Sequence, residues 1–270
     1  MTTNIELAYN RAADALAITL EYPKLITDAL KRRDAAKKLA ELTPRDAAHE
    51  IAAANNPRAW DSILDAVATH NARCAEAKNA IRGGVLTHSN RQLDQALAAW
   101  VPEYADATHD VIAGILATLT DAARAVDKLD AQHAVTRGYG DALTALFTAV
   151  TALTAHTLVG QETTGTDATT RASHMLAMVT APPNIDPIRR TDATRHNMGG
   201  EVVSSPEDQS RRQTARDLMG DFLKDTTGTF HRLARNEYPG HQLSAATADD
   251  YRQRVEQYLN ADRITRVAAA

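Results

Sequence analysis

Cysteine is almost absent from the sequence: Cys74 is the single one among 270 residues. One thiol can form neither an intrachain disulfide framework nor a thiolate zinc cluster, which excludes small disulfide scaffolds and cysteine-rich zinc folds. The first residues lead directly into a segment that carries Glu6, Arg11 and Asp14, which the apolar region of a signal peptide would not tolerate. These observations favour a cytosolic protein.

Aromatic residues, glycines and long apolar runs are also scarce. The chain has 12 aromatic residues and 12 glycines against 52 alanines, a composition that favours helices over strands rich in aromatic and β-branched residues. The most apolar stretch, residues 142–159, is interrupted by five threonines and one histidine, so no run of about 18 apolar residues occurs. We therefore expect an all-α protein without a membrane-spanning segment.

No strong charge of one sign is present either. The formal net charge is -4 and the isoelectric point is near 6.2, so the chain has no overall field that would hold nucleic acid or an anionic membrane. The sequence contains no Gly-x-Gly-x-x-Gly, no Gly-x-x-x-x-Gly-Lys-Ser/Thr and no Gly-x-Ser-x-Gly motif. Nucleotide-binding folds and serine hydrolases therefore lack their usual motifs here.

Proline and glycine positions predict where several helices begin and end. A cap residue followed by proline at the first helical position is a start signal, because the cap side chain accepts an amide hydrogen bond and proline has no amide to satisfy. Gly83-Gly84 predicts a helix end, and Pro102 predicts a kink or a restart. The predicted starts are Thr43-Pro44, Asn56-Pro57 and Ser205-Pro206.

Three segments carry apolar or small residues at alternating spacings of three and four, which is typical of helices that bury one seam. The seams are Trp60, Ile63, Val67, His70, Cys74, Ala77 and Ile81; Ile112, Ile115, Leu119, Ala122, Val126 and Leu129; and Val135, Tyr139, Ala142, Leu146, Ala149 and Leu153. The third segment has additional apolar residues, among them Phe147, so we expect it to be the central helix.

These patterns predict an all-α fold, an antiparallel helical bundle with coiled-coil-like heptad helices, a linker and a small C-terminal helical unit. The predicted boundaries are 1–160 for the bundle, 161–205 for a linker or extended arm, and 206–270 for a C-terminal helical hairpin. Within the linker, only residues 167–180 have a helical pattern.

Three Asp-x-x-His pairs are candidates for metal binding, because residues three apart project from the same side of a helix. They indicate a metal-dependent helical hydrolase as one alternative function. However, no Glu-x-x-His occurs, and ordinary surface polar residues explain the pairs more simply, so we expect no metal, cofactor or catalytic residue. The pairs are Asp46/His49, Asp106/His109 and Asp130/His133.

Residues 24–45 carry a net charge of +4, and residues 181–204 add three arginines. A basic helix and a flexible cationic arm could contact an anionic partner, so a nucleic-acid-associated accessory protein is a second alternative. Ordinary helical ion pairs, Lys24/Asp28 and Lys37/Glu41, favour a solvated face instead. The candidate contacts are Lys31, Arg32, Arg33, Lys37, Lys38, Arg189, Arg190 and Arg195.

The leading hypothesis is a non-enzymatic helical scaffold or interaction protein, which acts through self-association or through another helical protein. Small residues occupy several seam positions, which leaves little apolar area per turn and favours helices from a second chain, so we expect a homo-oligomer, most simply a dimer. The excess of alanine, with 23 arginines against 7 lysines, is typical of GC-rich genes and fits an accessory or assembly protein of a bacterium or phage.

Overall fold

The computed structural model is predominantly helical, as the composition predicts. It describes residues 3–54, 56–164, 168–180, 188–191, 202–203, 206–262 and 264–267. The helices in these ranges are α1 (Asn4–Leu16), α2 (Lys24–Ala40), α3 (Ala47–Ala53), α4 (Trp60–Arg82), α5 (Val85–Ala99), α6 (Val101–Ala107), α7 (His109–Ala125), α8 (Ala131–Arg137), α9 (Gly140–Thr164), α10 (Ala168–Met175), α11 (Pro206–Lys224), α12 (Thr226–Ala234) and α13 (Ala248–Asp262).

Short strands accompany the helices. The strands are β1 (Val179–Thr180), β2 (Ile188–Thr191), β3 (Val202–Val203), β4 (Gln242–Leu243) and β5 (Ile264–Val267). The strand β1 pairs with β4 in an antiparallel manner. The strand β2 lies between β3, which is antiparallel to it, and β5, which is parallel.

Two of the three helix starts that proline predicts are observed. The Asn56 side chain accepts a hydrogen bond from the Arg58 amide and opens a 3-10 turn that leads into α4. Proline 206 is the first residue of α11, although Ser205 lies outside the described residues. The start at Thr43 is wrong. Helix α3 begins at Ala47 and is capped by the Asp46 carboxylate.

The residues before α3 stay non-helical because side chains of α4 satisfy their backbone groups. The Thr43 carbonyl accepts a hydrogen bond from His70 Nε2 at 2.9 Å. The Arg45 amide donates to Asn71 Oδ1, and Asn71 Nδ2 donates to the Arg45 carbonyl. Sequence spacing within residues 43–47 contains no sign of these distant partners.

The third predicted seam is broken at its beginning. Gly138 adopts a left-handed backbone (φ 80°) and ends α8, and the amides of Gly138 and Tyr139 both donate to the Ala134 carbonyl. A new helix, α9, then begins at Gly140. The break turns Val135 away from the core, so its side chain is 78% exposed rather than buried.

The chain divides into two compact units, Met1–Leu20 with Ala98–Ala270 and Glu21–Leu97. In the first unit α9 contacts α1, α6, α7, α8, α10 and α12, as expected for the central helix. The core of this unit includes Leu116, Leu119, Leu146 and Leu153, and none of these side chains is more than 5% exposed. In the second unit α4 contacts α2 and α3, and Val67, Cys74 and Ala77 are buried.

The domain boundaries therefore differ from those expected at residues 160 and 205. Leu218, Phe222, Phe230, Leu233 and Tyr258 from the C-terminal helices belong to the same core as α7 and α9. Part of the expected linker is also packed, since residues 172–179 are buried. The C-terminal helices bury their apolar faces against the earlier helices, and no local pattern marks that distant pairing.

Candidate interaction surface

An uncharged, partly apolar surface runs along α9. Between Asp141 and Glu162 this helix carries no Asp, Glu, Lys or Arg. Residues at spacings of three and four place their side chains on one side of the helix. We call this side the α9 face; its exposed or half-buried members are Thr144, Phe147, Thr148, Thr151, Ala155 and Leu158.

The threonines of the α9 face direct their hydroxyl groups to the helix backbone. The Oγ1 atoms of Thr144, Thr148 and Thr151 donate to the carbonyls four residues earlier, at distances of 2.8 to 3.0 Å. Because these hydroxyl protons are already hydrogen-bonded, the threonines present methyl groups and acceptor oxygens to a partner. Phe147 adds an aromatic ring that is 43% exposed, which corrects its expected burial in the core.

A groove of about 550 Å³ lies beside the α9 face, between α1, α7 and α9. Thr144 and Thr148 belong both to the α9 face and to the groove, so the two surfaces are continuous. Asp141 is the one charged residue among those that line it. The groove is lined by Ala15, Leu16, Ala17, Val111, Ile115, Thr118, Asp141, Thr144, Ala145, Thr148, Ala149 and Ala152.

The apolar character of α9 also satisfies the length and composition of a membrane span. An 18-residue stretch within Gly140–Glu162 has a mean hydropathy of 1.6, but half of this stretch is buried inside the protein. A helix that packs on several sides within a protein core has the same composition. The contacts of α9 with six neighbouring helices account for the buried half of this stretch.

The basic segment of α2 is only partly available to an anionic partner. Lys31, Arg32 and Lys38 are exposed. Arg33 is not part of that face, because its side chain is 5% exposed and its guanidinium donates to Asp34 Oδ1 at 3.0 and 3.1 Å. The adjacent Asp34 carboxylate therefore compensates the positive charge of the buried Arg33 guanidinium.

Neighbouring acids compensate further basic groups in this segment. Lys31 lies 4.0 Å from Asp28 and the half-buried Lys37 lies 4.0 Å from Asp34, in place of the pairs that the sequence suggested. The Arg45 guanidinium contacts both carboxylate oxygens of Glu50, and it lowers the pKa of Glu50 through hydrogen bonding. Lys31, Arg32 and Lys38 are therefore the exposed members of the predicted basic set on α2.

The remaining candidate contacts belong to the expected extended arm. Arg189 and Arg190 lie on β2, the middle strand of the three-stranded sheet, where their backbones pair with Val203 and Val202 on one side and with β5 on the other. Arg195 lies outside the described residues. At positions 189 and 190 the chain is therefore a paired strand rather than a free arm.

Two of the three Asp-x-x-His pairs have a local structural explanation. Asp46 and Asp130 are the N-caps of α3 and α8, and the Asp130 carboxylate accepts a hydrogen bond from the His133 amide. The third histidine, His109, contacts its neighbour Asp110 at 3.1 Å. Among the described residues, no group of three or more potential ligands is arranged to hold a metal ion.

Three buried histidines, none of them singled out by the sequence patterns, lie beside tyrosines. The pairs are His156/Tyr104, whose rings stack with centroids 5.0 Å apart, and the hydrogen-bonded pairs His174/Tyr251 at 2.5 Å and His241/Tyr258 at 3.0 Å. Burial lowers the pKa of each histidine to about 4, and it raises the pKa of Tyr251 and Tyr258. The imidazoles are therefore neutral near pH 7, and the Tyr251 hydroxyl keeps its proton within its hydrogen bond with His174 Nδ1.

These arrangements were only partly accessible to sequence reasoning. The uncharged run of α9 with threonines at spacings of three and four is a sequence signal for the α9 face, but it does not show which side of the helix stays exposed. The groove and the histidine–tyrosine pairs join residues as far apart as His174 and Tyr251, for which no sequence signal exists.

Comparison with known proteins adds no relative to this description. No protein-family model, no curated protein and no solved structure matches the chain.

Proposed function

We propose that this chain is a non-enzymatic helical scaffold that acts by self-association through the α9 face and the adjoining groove. The observation that carries the proposal is that this continuous surface has one charged residue, Asp141, at its edge. Contiguous, weakly polar patches on a folded protein are typical of interaction sites. A bundle of seam-bearing helices and a cytosolic setting belong to the same proposal.

A second copy of the chain is the partner that best suits this surface. In a contact with two-fold symmetry the same patch meets itself, so an uncharged patch encounters no like-charge repulsion. Threonine and alanine side chains allow two helices to approach closely, and the ring of Phe147 projects as an anchor of the kind that dominates interface energies.

The dimensions of the surface predict a weak association. The α9 face from Thr144 to Leu158 spans about 22 Å at 1.5 Å per residue, and two adjacent helices are about 20 Å wide. The resulting area is on the order of 400 Å² per copy, below the roughly 800 Å² per partner of a standard stable interface. We therefore expect dimer formation at tens of micromolar protein rather than at nanomolar concentration.

Sedimentation equilibrium of the full chain between 5 and 200 μM tests the proposal. The expected mass rises from 29.2 kDa towards twice that value, and Phe147→Glu on the α9 face returns it to the monomer. Val135→Glu is the matched control, because Val135 is also an exposed apolar side chain but lies on α8. A monomer throughout the range, or equal effects of both variants, contradicts the proposal.

A charged residue at Leu119, in the second predicted seam, would not test self-association. The Leu119 side chain is fully buried in the core of the first unit, so a charged residue there would unfold the protein. The exposed position of Phe147 avoids this ambiguity, because a charge at a solvent-facing helical position leaves the core intact.

A further inference from the structure

A second cavity, separate from the α9 face and the groove, lies in the first unit and has a volume of about 300 Å³. It opens between α6 and α13, with His174 of α10 and Ala98 completing its wall. Most of its surface is apolar and comes from Ala98, Val101, Pro102, Val255 and Leu259. Cavities of this size with a few polar groups on an apolar wall are typical of small-molecule sites.

One part of the wall is rigid. The Tyr251 hydroxyl and His174 Nδ1 are hydrogen-bonded at 2.5 Å, and Gly160 of α9 packs directly against both groups. A Cβ atom at position 160 would collide with Tyr251 Oη and would lie 2.7 Å from His174 Nδ1. This close approach holds the two rings in place, so the cavity is preformed on that side.

The cation at the cavity mouth is already paired. The Arg252 guanidinium lies 2.6 Å from Glu103 Oε1 and 3.0 Å from Asp249 Oδ1. Two carboxylates on one guanidinium leave it little attraction for an anionic ligand. The paired Arg252 guanidinium therefore contributes little net positive charge to the mouth of the cavity.

The polar groups that lack a partner are both hydrogen-bond acceptors. Asn260 is 9% exposed, and its Oδ1 atom is buried and accepts no hydrogen bond from the described part of the chain. Glu256 is exposed at the mouth and forms no ion pair with a described residue. The two residues lie four apart on α13, so their side chains are neighbours on one side of the helix. A buried acceptor without a donor is costly, and a ligand that brings donors would satisfy it.

We propose that this cavity binds a small primary amine with an apolar body. The ammonium group donates hydrogen bonds to the Glu256 carboxylate and to Asn260 Oδ1, since an ammonium has three donors and no acceptor. The apolar body lies against Val101, Val255 and Leu259. An anionic molecule of the same shape meets the Glu256 charge instead, and a neutral alcohol provides a single donor.

Binding of phenethylamine, 2-phenylethanol and phenylacetate to the full chain tests this proposal, with shifts of the α13 amide signals in ¹H–¹⁵N spectra as the measurement. For a ligand of this size the expected dissociation constant of the amine is on the order of 1 mM. The amine is expected to bind about tenfold more tightly than the alcohol, because one hydrogen bond is made to a charged group. Phenylacetate is expected not to shift the α13 signals.

Variants separate the site from nonspecific binding. Glu256→Gln is expected to reduce the affinity for the amine to that for the alcohol, whereas Glu207→Gln, which removes an exposed acid of α11, leaves it unchanged. Leu259→Trp fills the cavity and abolishes binding of both ligands. Equal affinity for the amine and the alcohol overturns the proposal, as does an unaltered amine affinity in Glu256→Gln, an exposed position at which folding is retained.

Discussion

Acid should destabilise the first unit through its buried histidines. Burial lowers the pKa of His156, His174 and His241 to about 4, against about 6.5 for the exposed group. The unfolded chain therefore binds protons at a higher pH than the folded chain does. By linkage, the stability due to neutral histidines is fully present above pH 6.5 and is lost as the pH falls from 6.5 towards 4.

The expected magnitude follows from the two pKa values. For one histidine with values of 6.5 unfolded and 4 folded, the free energy of unfolding decreases by about 2 kcal/mol between pH 7.5 and pH 5. His156 is the clearest case, because its side chain is 7% exposed and its Nδ1 atom has no hydrogen-bond partner in the described part of the chain. Replacing it by leucine removes both the titration and a buried polar atom without a partner.

Trp100 provides a probe that is specific to this unit. Its ring is buried and lies 5.8 Å from the ring of Tyr104, which in turn stacks on His156. The chain has only two tryptophans, so Trp60→Phe makes Trp100 the sole reporter. Urea unfolding of this protein at pH 7.5 and pH 5, with and without His156→Leu, gives the required free energies.

We expect His156→Leu to reduce the loss of stability between pH 7.5 and pH 5 by about 2 kcal/mol. At pH 7.5 it should be neutral or stabilising, since the volumes of the two side chains are similar. His88→Gln is the control, because it removes an exposed histidine that lies in the other compact unit. An identical pH dependence in the His156→Leu protein would refute the reasoning.

Three other substitutions test close contacts of the first unit by the same unfolding assay. Gly228→Ala should lower the free energy of unfolding by about 2 kcal/mol, because the added Cβ would collide with the Asp225 carboxylate, which caps α12. The double variant with Asp225→Ala should lose less stability than the two single variants together. Arg254→Leu should cost about 3 kcal/mol, since the guanidinium donates to the carbonyls of Ala177 and Ser244, and unchanged stability would contradict those bonds. Gly160→Ala should lower the free energy of unfolding by about 2 kcal/mol. Adding Tyr251→Phe, which removes the colliding hydroxyl, should recover part of that loss. If the losses of the two single variants simply add in the double variant, the collision is ruled out.

The sequence was sufficient for features that depend on neighbouring residues. Alanine-rich composition predicted helices, Asn56-Pro57 and Pro206 marked two helix starts, and Gly83-Gly84 marked the end of α4. The apolar spacing of α7 predicted the burial of Ile112, Leu119, Ala122 and Val126. Each of these follows from caps, dihedral angles or helical periodicity, which act over a few residues.

Local signals failed where a distant partner or a left-handed glycine competed with them. No helix begins at Thr43-Pro44, because the side chains of His70 and Asn71 form hydrogen bonds with the backbone of that segment. The seam from Val135 to Leu153 read as one helix, but a left-handed Gly138 was needed to turn the chain into α9. Sequence periodicity cannot distinguish a glycine that a helix tolerates from one that ends it.

The helices were thus determined by the sequence itself, whereas their assembly was decided only in the tertiary structure. Helical periodicity shows that a face is apolar but does not show which element covers it. The packing of the C-terminal helices on α7 and α9, the exposure of Phe147, and the meeting of His174 with Tyr251 depend on contacts between residues that are far apart in the chain. Such contacts form because buried area and satisfied polar groups are optimised over the whole core, and that optimum is not encoded in any single segment.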